Sequence, residues 1–139
     1  MKSMAGPVEQ GLERADSPNL RVVKGAFEVL GEGGLIAAID HLLSHAHDDV
    51  EFRPYVADGN VLRGPEEVRA FYRGQLESGI AFTARPSTFE ECGDDEVVVN
   101  GSLRVVRSSG GFAESQLSWT YRFRDGRLQE VRGGPRRAA

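Results

Sequence analysis

Residues 113–128, AESQLSWTYRFRDGRL, decide the fold class of this chain. Apolar or small side chains alternate with polar ones from residue 113 to residue 123, which is the period of a strand with one buried face. The Asp125-Gly126 pair that follows is a strong two-residue hairpin signal, and residues 127–132 supply the returning strand. This stretch therefore predicts two antiparallel strands of a sheet with its core on one side.

Two further strands precede this hairpin in the sequence. Residues 80–90 form a predicted strand that Pro86 interrupts, so we expect it to be bent or bulged. Residues 96–107 are rich in valine, which favours a strand. Turn residues at 92–95 and 108–111 separate these segments. Four consecutive strands joined by short turns predict a mainly antiparallel sheet.

Three amphipathic segments in the first half of the chain predict helices that cover this sheet. The first begins with Ser17 as N-cap and Pro18 at the first helical position. The second covers residues 35–44 and the third residues 64–77, and each has an apolar stripe at helical spacing. Such stripes need a partner, and the apolar face of the sheet supplies one.

A strand at residues 50–55 lies between the second and third helices, and Pro54 favours an edge position for it. The element order is thus ααβαββββ. We predict an α+β domain over residues 19–133, with three helices packed on a curved, mixed, mainly antiparallel sheet. Residues 1–18 are expected to form a flexible arm and residues 134–139 a flexible tail.

Composition and charge exclude several classes of function. The chain has 139 residues, a net charge of −4 and a pI of about 5.4, which fit one acidic domain that does not bind nucleic acid. The basic cluster of Arg132, Arg136 and Arg137 indicates a solvated tail. The sequence has no apolar run long enough for a membrane span. The single Cys92 cannot form an intrachain disulfide, which favours the reducing cytoplasm.

Three segments together carry a family resemblance. They are the strand at 49–54 after a two-helix start, the segment LRGPEEVRAF at 62–71, and the hairpin WTYRFRDGRL at 119–128. In this order and spacing, the chain resembles the SnoaL-like branch of the nuclear-transport-factor-2-like (NTF2-like) superfamily over about residues 19–133. The resemblance implies a cone-shaped half-barrel whose mouth admits small apolar molecules, often in a homodimer. Relatives include ketosteroid isomerases, polyketide cyclases and epoxide hydrolases. The resemblance therefore predicts a pocket but not the reaction that takes place in it.

The chain departs from the catalytic patterns of these relatives. The isomerases place a carboxylate base on the first strand just before a proline, where this sequence has Phe52 or Arg53, depending on register. The epoxide hydrolases pair an arginine with an aspartate two residues on, whereas here Arg104 is followed by Val106. The resemblance therefore does not carry an acid–base set over to this chain.

Some residues are still candidates for proton transfer or metal binding. Asp40, His41 and Tyr55 are the catalytic candidates, with Tyr72 as a further one. His41 and His45 have the spacing of two metal ligands on a helix, but histidines near a helix C-terminus are better explained by its dipole. We therefore predict no metal and no cofactor.

A set of mostly aromatic residues is predicted to line a ligand pocket, or else to fill it as ordinary core. Trp119 and Tyr121 share the apolar face of their strand, and a buried tyrosine hydroxyl needs a partner that a ligand can supply. Arg104 either faces solvent or a dimer partner, or it anchors an anionic or carbonyl group in the pocket. The predicted pocket residues are Phe52, Phe71, Tyr72, Arg104, Trp119 and Tyr121.

The opposite face of the same strand predicts a homodimer. Gln116, Ser118 and Thr120 are short or uncharged in the middle of the strand, which suits a face packed against a second subunit. Three functions remain open: a binding protein for a polyketide-, terpenoid- or steroid-like molecule, an isomerase, cyclase or hydrolase with a non-standard acid–base set, and a non-catalytic dimerising module with a filled pocket. A cavity of roughly 300 Å³ or more would favour a ligand.

Overall fold

The computed structural model describes residues 16–57 and 59–136. Three helices and six strands make up the fold. The helices are α1 (Pro18–Gly33), α2 (Leu35–Ser44) and α3 (Gly64–Glu77). The strands are β1 (Ala46–Arg53), β2 (Leu62–Arg63), β3 (Ile80–Cys92), β4 (Glu96–Arg107), β5 (Phe112–Arg124) and β6 (Arg127–Pro135), and a 3-10 turn covers Tyr55–Ala57.

The six strands form one open sheet in the order β2-β1-β6-β5-β4-β3. Neighbouring strands are antiparallel except β1 and β6, which run parallel, so the predicted mixed, mainly antiparallel sheet is confirmed. The sequence did not predict the two-residue strand β2, which pairs with the end of β1. The three helices pack on one face of this sheet, as the apolar stripes predict.

The predicted helix boundaries are confirmed where capping residues define them. The Ser17 hydroxyl accepts a hydrogen bond from the Leu20 amide at 3.1 Å, and Pro18 occupies the first turn of α1. In α3, the carboxylate of Glu67 accepts from the Arg63 amide at 2.9 Å. These contacts satisfy amides that the first turn of a helix leaves without a partner.

Two strands differ in length from their sequence predictions. Strand β1 begins at Ala46 rather than Val50, because the Leu128 amide donates to the His45 carbonyl at 2.8 Å and pairing with β6 starts there. It ends at Arg53, since Pro54 has no amide to donate. Strand β6 continues to Pro135, beyond the predicted end, because it stays paired with β5 up to Leu117.

The sheet has an inner face, which lies against the helices, and an outer face. The inner face carries the most deeply buried strand residues, which are at most 2% exposed: Val50, Phe52, Val97, Val99, Leu117 and Leu128. On β4 and β5, the outer face carries Val98, Asn100, Ser118, Thr120 and Arg122. The side-chain alternation predicted for residues 113–123 is confirmed by this burial pattern.

A bend in the sheet is centred where β3 meets β4. The pairing register shifts between Pro86 and Thr88, which confirms the bulge that Pro86 predicts. Gly101 lies opposite, and a Cβ atom built on it would meet the Arg85 carbonyl oxygen and lie 2.8 Å from the Cα atom of Pro86. A glycine is therefore required for the two strands to approach this closely.

Two further observations concern membrane-spanning helices and the ends of the chain. Among the described helices, none has both the length and the apolar character of a membrane span. Much of the predicted arm and tail, residues 1–15 and 137–139, lies outside the described residues.

Candidate functional site

A cavity of about 120 Å³ lies between the helices and the inner face of the sheet. Helices α1 and α2 contribute apolar side chains at helical spacing, among them Ala26, Phe27, Leu30, Ile39 and Leu42. The amphipathic stripes of these helices therefore form both part of the core and one wall of the cavity.

The deepest part of the wall comes from β1, β5 and β6. Phe52, Tyr121 and Val131 are each at most 8% exposed and lie on strands that are hydrogen-bonded side by side. Tyr55 also lines the cavity but is 44% exposed, so it belongs to the rim. The cavity is thus rigid at its base and open at its rim.

Apart from Tyr55 at the rim, three side chains with hydrogen-bond donors interrupt this apolar wall. Tyr72 and Tyr121 carry hydroxyl groups, and Trp119 carries an indole N–H. No hydrogen bond joins any of these three groups to another described residue. Donors in a cavity wall that bond no described residue are available to a ligand or to water.

Burial keeps both phenols protonated. Desolvation raises the pKa of Tyr72 well above its usual value. Desolvation likewise raises the pKa of Tyr121, and the nearby Tyr72 raises it further. Both groups can therefore donate a hydrogen bond at neutral pH, and neither is suited to act as a base.

Aromatic contacts hold these groups in place. The ring of Tyr72 packs edge-on against Phe71 and Phe82, with centroids 5.1 and 6.3 Å apart. The indole of Trp119 packs against Phe27 at 5.6 Å. Edge-to-face contacts of this kind add to the free energy of burial and restrict ring orientation.

The structure divides the predicted pocket residues into two groups. Phe52, Tyr72, Trp119 and Tyr121 lie in the cavity wall, whereas Phe71 lies outside it and packs against Tyr72. The wall also contains Phe27, Leu30, Ile39 and Leu42, which the sequence marked only as helical core stripes.

The prediction that Arg104 lines the pocket is wrong. Arg104 lies on the outer face, where β4 pairs it with Glu114 of β5. Its guanidinium carbon is 4.1 Å from the ring centroid of Phe112, which is itself 61% exposed. A cation–π contact at the surface avoids the desolvation of an unpaired charge that a pocket position would require.

Asp40 and His41, two of the predicted catalytic residues, lie away from the cavity wall. Asp40 forms an ion pair with Arg69 at 2.8 Å on the surface of the helix layer. His41 Nε2 is 3.1 Å from the Val22 carbonyl oxygen and thus joins α2 to α1. Tyr55, the third candidate, is at the rim. The catalytic roles themselves stay predictions.

His41 of α2 and His45, the residue that follows α2, lie side by side. The ring centroids of His41 and His45 are 5.2 Å apart. Burial, followed by His41 and Arg127, lowers the pKa of His45, which favours its neutral form. Within residues 16–57 and 59–136, no group of three or more His, Cys, Asp or Glu side chains is placed to share a metal ion.

Cys92 is an exposed thiol at the turn between β3 and β4. Desolvation, with the carboxylates of Glu96 and Glu90, raises the pKa of this thiol. This direction agrees with the acidic sequence around it and leaves little of the reactive thiolate at neutral pH.

The outer face carries a second, polar groove of about 1000 Å³. At its centre, the Ser118 hydroxyl donates to Asn100 Oδ1 at 2.5 Å, and Asn100 Nδ2 donates to the Thr88 hydroxyl at 3.2 Å. Beside them, the carboxylate of Glu130 contacts three guanidinium groups at 3.0 to 3.5 Å, those of Arg53, Arg132 and Arg122.

Comparison with known proteins yields one family and a set of solved structures. The profile of the SnoaL-like domain family matches residues 23–131. An NTF2-like protein of unknown function from Burkholderia pseudomallei is 24% identical, with a TM-score of 0.73 over 87% of this chain and 92% of that one. No curated protein matches the chain in sequence.

Two further solved structures carry the names of enzymes. A Δ5-3-ketosteroid isomerase from a Mycobacterium species is 20% identical, with a TM-score of 0.69 over 87% of this chain and 95% of that one. A putative polyketide cyclase from Xanthomonas campestris pv. campestris is 16% identical, with a TM-score of 0.69 over 84% and 91%. At these identities the structures establish the fold, and they confirm the predicted cone of three helices on a curved sheet.

Proposed function

The chain belongs to the SnoaL-like domain family, and on this premise we propose that it binds a compact, mostly apolar molecule carrying one hydrogen-bond-accepting oxygen. The observation that carries the proposal is the set of donors in the apolar cavity: the hydroxyls of Tyr72 and Tyr121 and the indole N–H of Trp119. A ligand that reaches the phenols with a carbonyl or hydroxyl oxygen satisfies them and leaves its apolar part in the cavity.

The ligand class follows from the cavity and from the relatives. The names of two similar structures refer to a ketosteroid and to a polyketide, both of which carry carbonyl oxygens on a largely apolar framework. A volume of about 120 Å³ is smaller than the roughly 300–1,000 Å³ of drug-sized sites. Of the expected polyketide-, terpenoid- or steroid-like molecules, the proposal therefore favours small ones with about one ring.

The proposal is for binding rather than for a reaction. The described residues that line the cavity carry no carboxylate, imidazole or amine. Isomerase and cyclase chemistry requires a group that moves a proton, and a phenol with a raised pKa is a poor base. Any activity of this cavity would depend on the two tyrosines as acids or hydrogen-bond donors.

A matched pair of probes tests the proposal. Cyclohexanone and methylenecyclohexane have nearly the same shape, but only the ketone has an acceptor oxygen. We expect the protein to bind the ketone more tightly, and the double substitution Tyr72→Phe with Tyr121→Phe to weaken ketone binding by about 1–3 kcal/mol. Binding of the hydrocarbon should stay unchanged. Protein-detected NMR titration measures both dissociation constants.

An exposed hydroxyl on the outer face provides the control. Thr83→Val removes this hydroxyl from β3, away from the cavity, and should leave both dissociation constants unchanged. If the double variant binds cyclohexanone as tightly as the unchanged protein, the phenols do not recognise the oxygen. If neither probe binds at millimolar concentration, the ligand proposal fails.

The alternative is a non-catalytic dimerising module whose cavity is closed by its own side chains. The small volume of the cavity favours this alternative, and failure of both probes would support it. Both proposals lead to the same expectation, a homodimer. A binding protein of this family and an interaction module would each assemble through the sheet.

We also propose that the chain forms a homodimer through the outer face. Its centre is uncharged around Ser118 and Thr120, and the polar groove there offers hydrogen-bonding groups to a second copy. The substitution Ser118→Arg should convert a dimer to a monomer in sedimentation at micromolar concentration, whereas Glu28→Arg on the exposed side of α1 should not. A monomer for the unchanged protein would contradict this proposal.

A reducing cytoplasmic setting is part of the same proposal. It rests on the single exposed Cys92, which has no cysteine partner within the chain. The expected result is an unmodified thiol in protein isolated from the cytoplasm, measured by mass spectrometry of the intact chain.

A further inference from the structure

We infer that Phe27 sets the specificity of the cavity by limiting the size, and so the length, of the molecule that fits. This inference rests on the proposed function and names the residue that restricts the ligand to about one ring. It depends on the contacts of the Phe27 ring, on the way α1 is fixed, and on the volume of the cavity.

The ring of Phe27 separates the cavity from a second aromatic side chain. Phe27 and Trp119 both line the cavity, and their ring centroids are 5.6 Å apart. The Phe27 ring also meets Phe89 edge-on at 5.9 Å, and Phe89 does not line the cavity. Phe27 is thus a partition that stands between the space occupied by a ligand and Phe89.

Removal of this partition would extend the cavity toward Phe89. Phe89 packs against the core, and the ammonium group of Lys24 lies 5.5 Å above its ring. A Phe27→Ala change leaves the space of one phenyl ring, bounded by Trp119 and Phe89. A cavity lined in this way by apolar side chains can accept a ring of benzene size.

The position of the partition is fixed because α1 is tied to the sheet at its N-terminus. The Ser17 hydroxyl donates to the Glu91 carboxylate of β3, and Asn19 Nδ2 donates to the Asp94 carbonyl oxygen at 3.1 Å. Val23 and Ala26, which precede Phe27 by four residues and by one residue in α1, are buried in the core. These contacts oppose a shift of the helix that would move the Phe27 ring aside.

The volume of the cavity matches a short ligand. Tyr121 and Trp119 are two residues apart on the same face of β5, which places them about 7 Å apart along the strand. Phe27 contacts Trp119. The cavity of about 120 Å³ has room for about one ring while the Phe27 ring stays in place.

The test compares two ketones of different length. Cyclohexanone has one ring, and 4-cyclohexylcyclohexanone adds a second ring at the end opposite the oxygen. We expect the unchanged protein to bind the one-ring ketone at least tenfold more tightly than the two-ring ketone. Phe27→Ala should bind the two-ring ketone at least tenfold more tightly than the unchanged protein does, with Phe27→Leu between the two.

Two controls separate this effect from a general loosening of the protein. Leu30→Ala enlarges another part of the same wall and should give a much smaller gain for the two-ring ketone. Phe112→Ala removes an exposed phenylalanine on the outer face and should give none. If Phe27→Ala does not fold, Phe27→Leu alone decides the result, because it keeps an apolar side chain and still shortens the partition.

The outcomes distinguish this inference from the function on which it rests. If the unchanged protein binds cyclohexanone but the Phe27 variants gain nothing for the two-ring ketone, or if it binds both ketones equally, Phe27 does not limit ligand length and the binding function stands. If the unchanged protein and the variants bind neither ketone, the proposed function and this inference both fail.

Discussion

The inner and outer faces of the sheet are built by the same strands, yet different interactions stabilise them. Along β5, Leu117 and Tyr121 of the inner face are at most 4% exposed, while Gln116 and Arg122 of the outer face are exposed. The inner face contributes to the free energy of folding mainly through the burial of apolar side chains. The outer face is covered by hydrogen bonds and ion pairs, such as those around Asn100 and Glu130.

Each face has a place where it departs from its own pattern, and both proposals begin there. On the inner face, the donors of Trp119 and Tyr121 interrupt an apolar wall. On the outer face, Ser118 and Thr120 interrupt a charged surface. Ligand binding at the inner face and assembly of two copies at the outer face are the two proposals that start from these exceptions.

The largest expected difference between the faces is in apolar burial. Leu117→Ala removes a fully buried side chain and should lower the free energy of unfolding by about 2–5 kcal/mol. Gln116→Ala, one residue earlier on the outer face, should change it by less than about 0.5 kcal/mol. Urea unfolding followed by circular dichroism measures both. Equal losses for the two variants would show that the faces do not differ in this way.

A smaller difference is expected for glycine on the two faces. Gly101→Ala places a methyl group against the backbone at Arg85 and Pro86 and should cost about 1–3 kcal/mol of unfolding free energy. Gly134→Ala, whose new atom meets nothing within 4 Å, should be neutral or slightly stabilising. Thermal unfolding of both variants tests this, and a tolerated Gly101→Ala would mean that the strands separate easily at the bend.

Most of the fold could be predicted because its signals are local. The Ser17-Pro18 cap, the alternation in residues 113–123 and the Asp125-Gly126 turn each act within a few residues, and each is confirmed. The early start of β1 at Ala46 is different, since it depends on pairing with β6, which lies far along the chain. Pairing of this kind leaves no periodic pattern in the sequence.

The side of the sheet on which Arg104 lies shows why the site was harder to predict than the fold. In β4, valines occupy the consecutive positions 97–99 and again 105–106, so the sequence does not distinguish the two faces. Only pairing with β5, where Arg104 is opposite Glu114, places the arginine outside. The cavity is harder still, because it is the space that side chains such as Phe27 leave between two layers, and no local pattern specifies an unfilled volume.

The smallest expected effect concerns the ion pairs of the outer face and separates the two faces by their response to salt. Glu130 is 13% exposed at its side chain and contacts Arg53, Arg122 and Arg132, so Glu130→Gln leaves three positive charges close together. The arginines are about half exposed, and we therefore expect a loss of only about 1 kcal/mol of unfolding free energy. This loss should shrink between about 0.05 M and about 0.5 M NaCl because salt screens exposed charges, whereas the loss for Leu117→Ala should not.

Asp49→Asn, which removes a 73% exposed carboxylate 3.6 Å from Arg124, serves as the control and should have almost no effect. If Glu130→Gln lost as much stability at high salt as at low salt, the outer face would depend on the packing of Glu130 rather than on its charge.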